Sequence, residues 1–518
     1  MSYHKNMERV APPALNYDNI LPLAIESRSN RRSFVPTNGA TFSNDTGATV
    51  IRVDVNADSM LDCAHSYLTC DVNNTAAATN FLSLNPFCPS WIQRLRIESG
   101  GVVIEDINEY SRLYATMVLN QCPKDYIMNN LAQQGLYCNP NGVAGMASAV
   151  GGGLSIAVDE ASSDGINDHA PDATAVVGVG ADWGTELHYP ASGQLLLSGV
   201  LNTGGIIGDA GGNRPTGDGV LIQGFKYKVA SGASKKQAFP LLSGFLNMDK
   251  YIPLIMMNAG FTLEITLCDN LRIGMTQVET AAAQGVLADS SWTVSNVEYV
   301  AHLIDLDRSF YDRLRMVMEQ SGGVLQLAGQ TYRHFAAQTP AGVGPHTISI
   351  PARVKSVKSI FATFILAGQR NVNTSYSTSV FQRCNVSSFR FEIGSVRYPA
   401  RDVTTGPESD VELQKAFGKL GDYQHQSAYN SKHTHNNGLE RSTNVVNEQR
   451  LSAFFIGYDF EAFQRVALEA GINTADRSLP INFIYNKDGV GAITHVDTFV
   501  LCDAIYYINL DGTVSVSV

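Results

Sequence analysis

The sequence predicts an all-β chain folded as two tandem antiparallel sandwiches, with short helices in the connections. Three observations carry this. Short runs alternate apolar and polar residues, as in Phe261 to Leu267, where Phe261, Leu263, Ile265 and Leu267 share one face and Thr262, Glu264 and Thr266 the other. Such period-two alternation marks a strand with one buried face. Glycine-bearing turns separate the runs. The order of elements in the first half recurs in the second, which suits a duplicated sandwich.

Bulk properties bound the possibilities. At 518 residues the chain is long enough for roughly two to four domains. Charged residues make up only 16%, against a usual fraction of about 25%, so much of the surface is expected to be small polar residues or covered by partners. The net charge of −11 excludes a generally polyanion-binding chain and leaves only local contacts with nucleic acid. The start, MSYHKNMERV, lacks the apolar core of a signal peptide, so export is not expected. The longest apolar stretches, such as Ile360 to Ala367, are strand-sized, short of the ~18 residues a membrane-spanning helix needs. The eight cysteines show no CxxC spacing and read as reduced and mostly buried. In that setting Asn-x-Ser/Thr sites such as Asn373-Thr374-Ser375 are chance matches.

Taken in order, residues 1–48 read as an arm broken by Pro12, Pro13, Pro22 and Pro36. Arg28, Arg31 and Arg32 form its basic cluster. They suit a clamp on a neighbour, a membrane surface or packaged nucleic acid; the plainer reading is a solvated arm, since three arginines give only modest phosphate affinity. Strands follow at Ala48 to Val55, Ser66 to Val72, Ser90 to Ile97 and Val102 to Ile107, the last two joined by a turn at Gly100 and Gly101. Tyr110, Leu113, Tyr114, Met117 and Val118 fall at helical spacing and predict an amphipathic helix. Residues 139–190 are dominated by small residues and form a long insertion, with a second glycine-rich loop at 204–219 and a strand at Gln194 to Leu201 between them. Pro240 to Leu246 (PLLSGFL) reads as a buried strand, followed by an irregular crossing and the strand Phe261 to Leu267.

The second unit is expected to start with a strand at Trp292 to Leu303. A helix over Asp307 to Glu319 turns Phe310, Leu314, Val317 and Met318 inward and ends at Gly322-Gly323. Val324 to Phe335, Thr347 to Ile350 and Val357 to Leu366 are strands. Then comes the internal echo. SWIQRLRIESGGVVIEDINEYSRLYATMV runs strand, turn, strand, helix, and so does VSSFRFEIGSVRYPARDVTTGPESDVELQKAFGKL, whose helix carries Val411, Leu413 and Phe417 on its apolar side and starts at Pro407-Glu408. Leu451 to Gly457, a helix over Phe460 to Ala470 and a strand at Leu479 to Tyr485 repeat the order of Phe239 to Leu267. Val496 to Val500 and Ile505 to Leu510 close the chain as paired strands.

Two such sandwiches, each with a helix in a mid-domain connection, resemble the double jelly-roll major capsid proteins of icosahedral double-stranded DNA viruses. Phe239 to Leu267 and FEIGSVRYP (Phe391 to Pro399) look most like the polinton-like and virophage-related branch. The resemblance implies two eight-stranded jelly rolls, at 49–285 and 286–518, and a structural rather than enzymatic role. It implies homotrimeric, pseudo-hexagonal capsomers that tile a virion shell and meet minor capsid and penton proteins. The loops 139–190 and 204–219 would be surface towers. The arm with Arg28, Arg31 and Arg32 would lie at the base, against a neighbour, the genome or an internal membrane. No cofactor and no small-molecule substrate are implied. A minor virion protein or a carbohydrate-binding sandwich module is the alternative, weakened because Trp183 and Tyr189 are the large aromatics near the end of the long loop. A glycosidase would need two facing carboxylates, and nothing in the sequence points to them.

Other chemistry has thin support. There is no Walker A or GxSxG pattern, and Gly178-x-Gly180 lies in a small-residue loop, not between strand and helix. His433 and His435, with His425, suggest a metal but read as a polar loop. Asp159, Glu160, Asp164, Asp168 and Asp172 lack calcium-loop spacing. Asp410 and Glu412, two apart on a helix, face different ways.

Overall fold

The computed structural model describes residues 26–136, 229–278, 291–371, 378–418 and 454–518, apart from short breaks at 46–47, 77–79, 86, 124–125, 132–133, 230, 249, 380, 463–467, 469, 476–479 and 489–492. The sequence readings at 139–190, 194–201, 204–219 and 425–435, and most of the helix at 460–470, lie outside these residues.

The first sandwich is built from β1 (Ser27–Phe34), β2 (Val50–Val55), β3 (Met60–Asn74), β4 (Ile92–Ser99), β5 (Val102–Asn108), β6 (Ser234–Phe239), β7 (Phe261–Leu267) and β8 (Trp292–Leu306). One sheet runs β1-β8-β3-β6 and the facing sheet β2-β7-β4-β5, all antiparallel. The second sandwich is built from β9 (Val324–Thr339), β10 (Gly344–Ile350), β11 (Val357–Leu366), β12 (Val386–Ile393), β13 (Val396–Thr404), β14 (Phe455–Asp459), β15 (Ile481–Lys487) and β16 (Thr494–Asn509). Its sheets run β9-β16-β11-β14 and β10-β15-β12-β13. The two orders are the same with every label advanced by one set of strands, so the echo in the sequence is a repeat of topology. Each unit is an eight-stranded jelly roll, in which two packed sheets keep most strand edges covered. Short strands at Thr41–Phe42 and Ile252–Pro253 extend the first sheet, and Asn80–Leu84 pairs with Gly274–Val278 beside it.

Helices occupy matching places. α1 (Tyr110–Gln121) follows β5, and α3 (Pro407–Ala416) follows β13; α2 (Arg308–Gln320) joins the two rolls. In α3 Pro407 takes the first turn, where its missing N–H costs nothing, and Glu408 accepts from the Thr404 N–H at 2.9 Å. α2 starts at Asp307, whose carboxylate accepts from Ser309 N–H, and ends at Gly322 and Gly323 with φ +81° and +82°.

The structure revises several expectations. Residues 27–34, read as arm, form β1, the first strand of the first roll, in register from Ser27↔Leu306 to Phe34↔Tyr299. β8, assigned to the second unit by a boundary at 285/286, is hydrogen-bonded between β1 and β3 of the first; the rolls divide at Asp307. PLLSGFL is not a strand. Its backbone donors go to side chains instead of a ladder: Leu242 N–H to the Tyr110 hydroxyl at 2.7 Å, Gly244 N–H to Glu105 at 3.0 Å and Leu246 N–H to Ser243 Oγ at 3.1 Å. The strand equivalent to β14 is β6, just before it. α1 is not amphipathic in use, for every residue from Tyr110 to Asn120 is buried. Its polar side chains close local bonds, such as Ser111 Oγ to Pro89 O at 2.7 Å and Thr116 Oγ1 to Arg112 O at 2.8 Å. In α2 only Met318 is buried, with Phe310 and Leu314 half-buried and Val317 exposed. In α3 Leu413 and Phe417 are buried and Val411 is exposed. The two closing strands are one, β16, paired by a hairpin at Asp511-Gly512 with β17 (Val514–Ser517). Buried Asp503, which accepts from Ser356 Oγ at 2.7 Å, is what broke the alternation there.

Candidate functional site

The most chemically distinctive region is the seam between the rolls. Glu105 of β5 is buried and accepts from Gly244 N–H and from Thr331 Oγ1 of β9 at 3.1 Å, and also from Ser243 Oγ. Burial pushes its carboxyl above the usual range, and these donors offset part of that. Gly244 makes the approach possible: a Cβ there would stand 1.4 Å from the Gln330 carbonyl oxygen. Phe245 then packs edge-on against Tyr506, ring centres 5.1 Å apart. Asn258 N–H donates to Gly512 O at 3.1 Å.

Behind this lies a buried ion cluster assembled from both rolls. Arg112 (α1) reaches Asp497 (β16) at 3.3 Å. Asp497 also meets Arg370 at 3.1 Å and His334 Nε2 at 2.9 Å, with His495 at 3.6 Å. Glu109, just before α1, pairs with Arg272 and lies 3.3 Å from Arg370. Burial alone would raise the Asp497 carboxyl; Arg112, His334 and Arg370 outweigh it and hold the group well below the carboxylate range. Glu109 is held low in the same way, burial being outweighed by Arg272 and Arg112. His495 is pushed down to about 4, chiefly by burial, with Asp497 opposing and Arg370 and Arg112 assisting. Arg112 and Asp497 are fully buried, and Arg272 and Glu109 nearly so. What they do is fix one roll against the other.

Of the residues singled out from the sequence, Arg28, Arg31 and Arg32 all lie exposed on β1, the edge of the first sheet. Alternation splits them: Arg31 turns to one face, over the Tyr67 ring at 5.6 Å, and Arg28 and Arg32 to the other, with Arg32 over Phe34 at 4.9 Å. Asp410 and Glu412 stay apart, the first accepting from Gln414 and the second paired with Lys415. The described cysteines are free thiols, and burial pushes Cys63, Cys268 and Cys502 up to about 12. Sequence reading missed the seam. Its one signal was Arg112, a charge amid the apolar run of a helix otherwise suited to a core.

No family model matches the sequence, and no curated protein does. Solved structures do. The PBCV-1 capsid protein VP54, fitted into a reconstruction of the virophage Sputnik, superposes with TM-score 0.52 at 9% identity, covering 97% of this chain and 99% of that one. The PBCV-1 capsid model gives 0.52 at 10% identity over the same shares. The Faustovirus major capsid protein gives 0.53 at 8% identity, covering 96% and 92%. The match spans both rolls and the seam, and the chain therefore has the double jelly-roll fold of these viral major capsid proteins.

Proposed function

We propose that the chain is the major structural subunit of an icosahedral virion shell, forming homotrimers whose six jelly rolls give a pseudo-hexagonal outline and tile with their neighbours. The observation that carries this is the fusion of two equivalent rolls through one buried seam, superposable over nearly the whole chain on viral capsid subunits. The scarcity of charge supports large subunit contacts, since interface cores are depleted in charge.

Topology supports a polarity for the subunit. The connection that holds 139–190 and 204–219 leaves β5 at the end of the roll shared with the β1–β2, β3–β4 and β7–β8 connections. Ser27, at the start of β1, lies at the opposite end beside Leu306. Long loops as surface towers and the segment before β1 at the base fit that polarity. Arg28, Arg31 and Arg32 would then meet a neighbouring subunit, the genome or a membrane there, and minor capsid and penton proteins would be further partners within the virion.

Sedimentation of the purified chain at micromolar concentration tests the reading, together with negative-stain microscopy. Trimers with a hexagonal outline are expected. A lone 56.0 kDa species would sink the shell assignment.

A further inference from the structure

The outward face of the first sheet carries an irregularity that the shell reading does not use. β3 and β8 pair from Asn74↔Trp292 to Tyr67↔Val300, with one small shift between Ser295 and Glu298, and resume at Asp62↔His302, so Cys63 to Ser66 are looped out of the ladder. A bulge this large re-aims side chains, and bulges concentrate beside sites. This one is organised. Asp62 accepts from the Ala64 N–H at 3.1 Å, Ser66 Oγ donates to Asp62 O at 2.6 Å, and the His302 N–H donates to Ser66 Oγ at 3.0 Å. The Asp62 carboxylate is almost covered, at 7% exposure, while the His65 side chain is 73% exposed. His65 Nδ1 donates to Asp62 Oδ2 at 2.7 Å. The ring of His302 stands beside it, centres 5.7 Å apart and tilted by 54°.

We propose that His65 and His302 form a surface site for a borderline transition-metal ion such as Zn²⁺, with Asp62 as the positioning carboxylate. Two features point that way. A metal-bound imidazole usually donates its other N–H to a carboxylate, which fixes the ring and raises its basicity; Asp62 does this for His65 and leaves Nε2 as the ligand atom. Two imidazoles on one tetrahedral ion, with metal–nitrogen distances of about 2.0–2.1 Å, place their ring centres roughly 5 Å apart, close to the spacing found. Arg31 is the cross-strand neighbour of His302, but its guanidinium is turned over the Tyr67 ring. The Cys63 thiol belongs to the core and does not compete. Among the described residues no three ligating side chains are already gathered, so water or a side chain of a second copy completes the coordination.

Calorimetric titration of Zn²⁺ into the full-length chain tests this, in a background carrying H425A, H433A and H435A to remove the other histidine-rich segment. One ion per chain is expected. Binding should be lost in H65A and in H302A and weakened about tenfold or more in D62N, while H346A binds as the parent does. Equal melting temperatures in EDTA establish that the variants are folded. On the parent itself, Zn²⁺ should protect His65 from diethyl pyrocarbonate, a readout that needs no substitution at the site. No zinc uptake by the parent, or uptake unchanged in H65A and H302A, or His65 labelled equally with and without zinc, would overturn the assignment.

Discussion

Arg112 from the first roll and Asp497 from the second stand 3.3 Å apart, and neither side chain reaches solvent. Around them two carboxylates, Glu109 and Asp497, face three arginines, Arg112, Arg272 and Arg370. The cluster is already one positive charge in excess, so its members are not equivalent. Removing Asp497 leaves three cations against Glu109 alone; removing Arg112 leaves two against two. D497N should therefore destabilise by about 3–5 kcal/mol, the range for breaking a buried pair, and R112M by less. Urea unfolding midpoints with unchanged slopes check the order of the two. A larger loss in R112M would show that packing, not charge, sets the strength of the seam.

The same cluster makes stability depend on pH, with a defined sign. His495 is held down to about 4 in the folded chain against an ordinary 6.5. Between those values the unfolded chain takes up a proton that the folded chain refuses, so stability falls as pH drops through that window. Asp497 and Glu109 are held below their ordinary values of 3.8 and 4.5. Their contribution is complete above those ordinary values and fades as pH falls further, towards the folded ones. All three groups thus act in one direction, in successive windows. H495Q should flatten the melting-temperature profile between pH 6.5 and 4 and leave the steeper loss below pH 4 in place. An unchanged slope in the upper window would remove His495 from this account.

Backbone contact at the seam is as demanding as charge. The rolls approach at Gly244, where a methyl group would fall 1.4 Å from Gln330 O. No rotamer relieves a clash of Cβ with backbone, so G244A must push the rolls apart or unfold the Ser243 to Leu246 turn, losing the bonds to Glu105 as well. A cost of about 3 kcal/mol or more is expected, beyond the usual overpacking range of 1–3 kcal/mol. G368A is the control: nothing lies within 4 Å of its added methyl, so its effect should stay within about 0.5 kcal/mol. Thermal melts of the two variants side by side decide the matter.

What the sequence showed and hid has a physical pattern. β7 and β11 were legible because each follows a simple rule, alternation in the first and unbroken burial in the second. The strand–turn–strand–helix echo was legible because β4, β5 and α1, and β12, β13 and α3, are contiguous. Sheet membership was not, for nothing local in Trp292 to Leu306 says that it pairs with residues 27–34 and 60–74. PLLSGFL misled because apolar runs look alike whether a ladder or side chains such as Glu105 and Tyr110 satisfy the backbone. The ion cluster was hidden for the same reason: Glu109, Arg112, Arg272, Arg370 and Asp497 come from four separate stretches, and only the fold brings them together. His65 and His302 are likewise joined only by the register of β3 on β8.

The arginines of β1 separate folding from assembly. Arg31 and Arg32, themselves exposed, lie over the half-buried Tyr67 ring and the ring of Phe34 on the edge strand, contacts of about 0.5–1 kcal/mol each, and no such ring contact is found for Arg28 among the described residues. Reversing all three to glutamate should cost the isolated chain no more than about 2 kcal/mol. If the segment meets an anionic neighbour, trimers or larger particles should form less readily in the R28E/R31E/R32E variant, and the deficit should shrink as salt rises through the range where the screening length drops below about 8 Å. Sedimentation across a salt series measures both. A variant that melts almost like the parent and assembles as well at every salt concentration would leave the cluster as a solvated strand edge, with the shell reading intact and its basal contact removed.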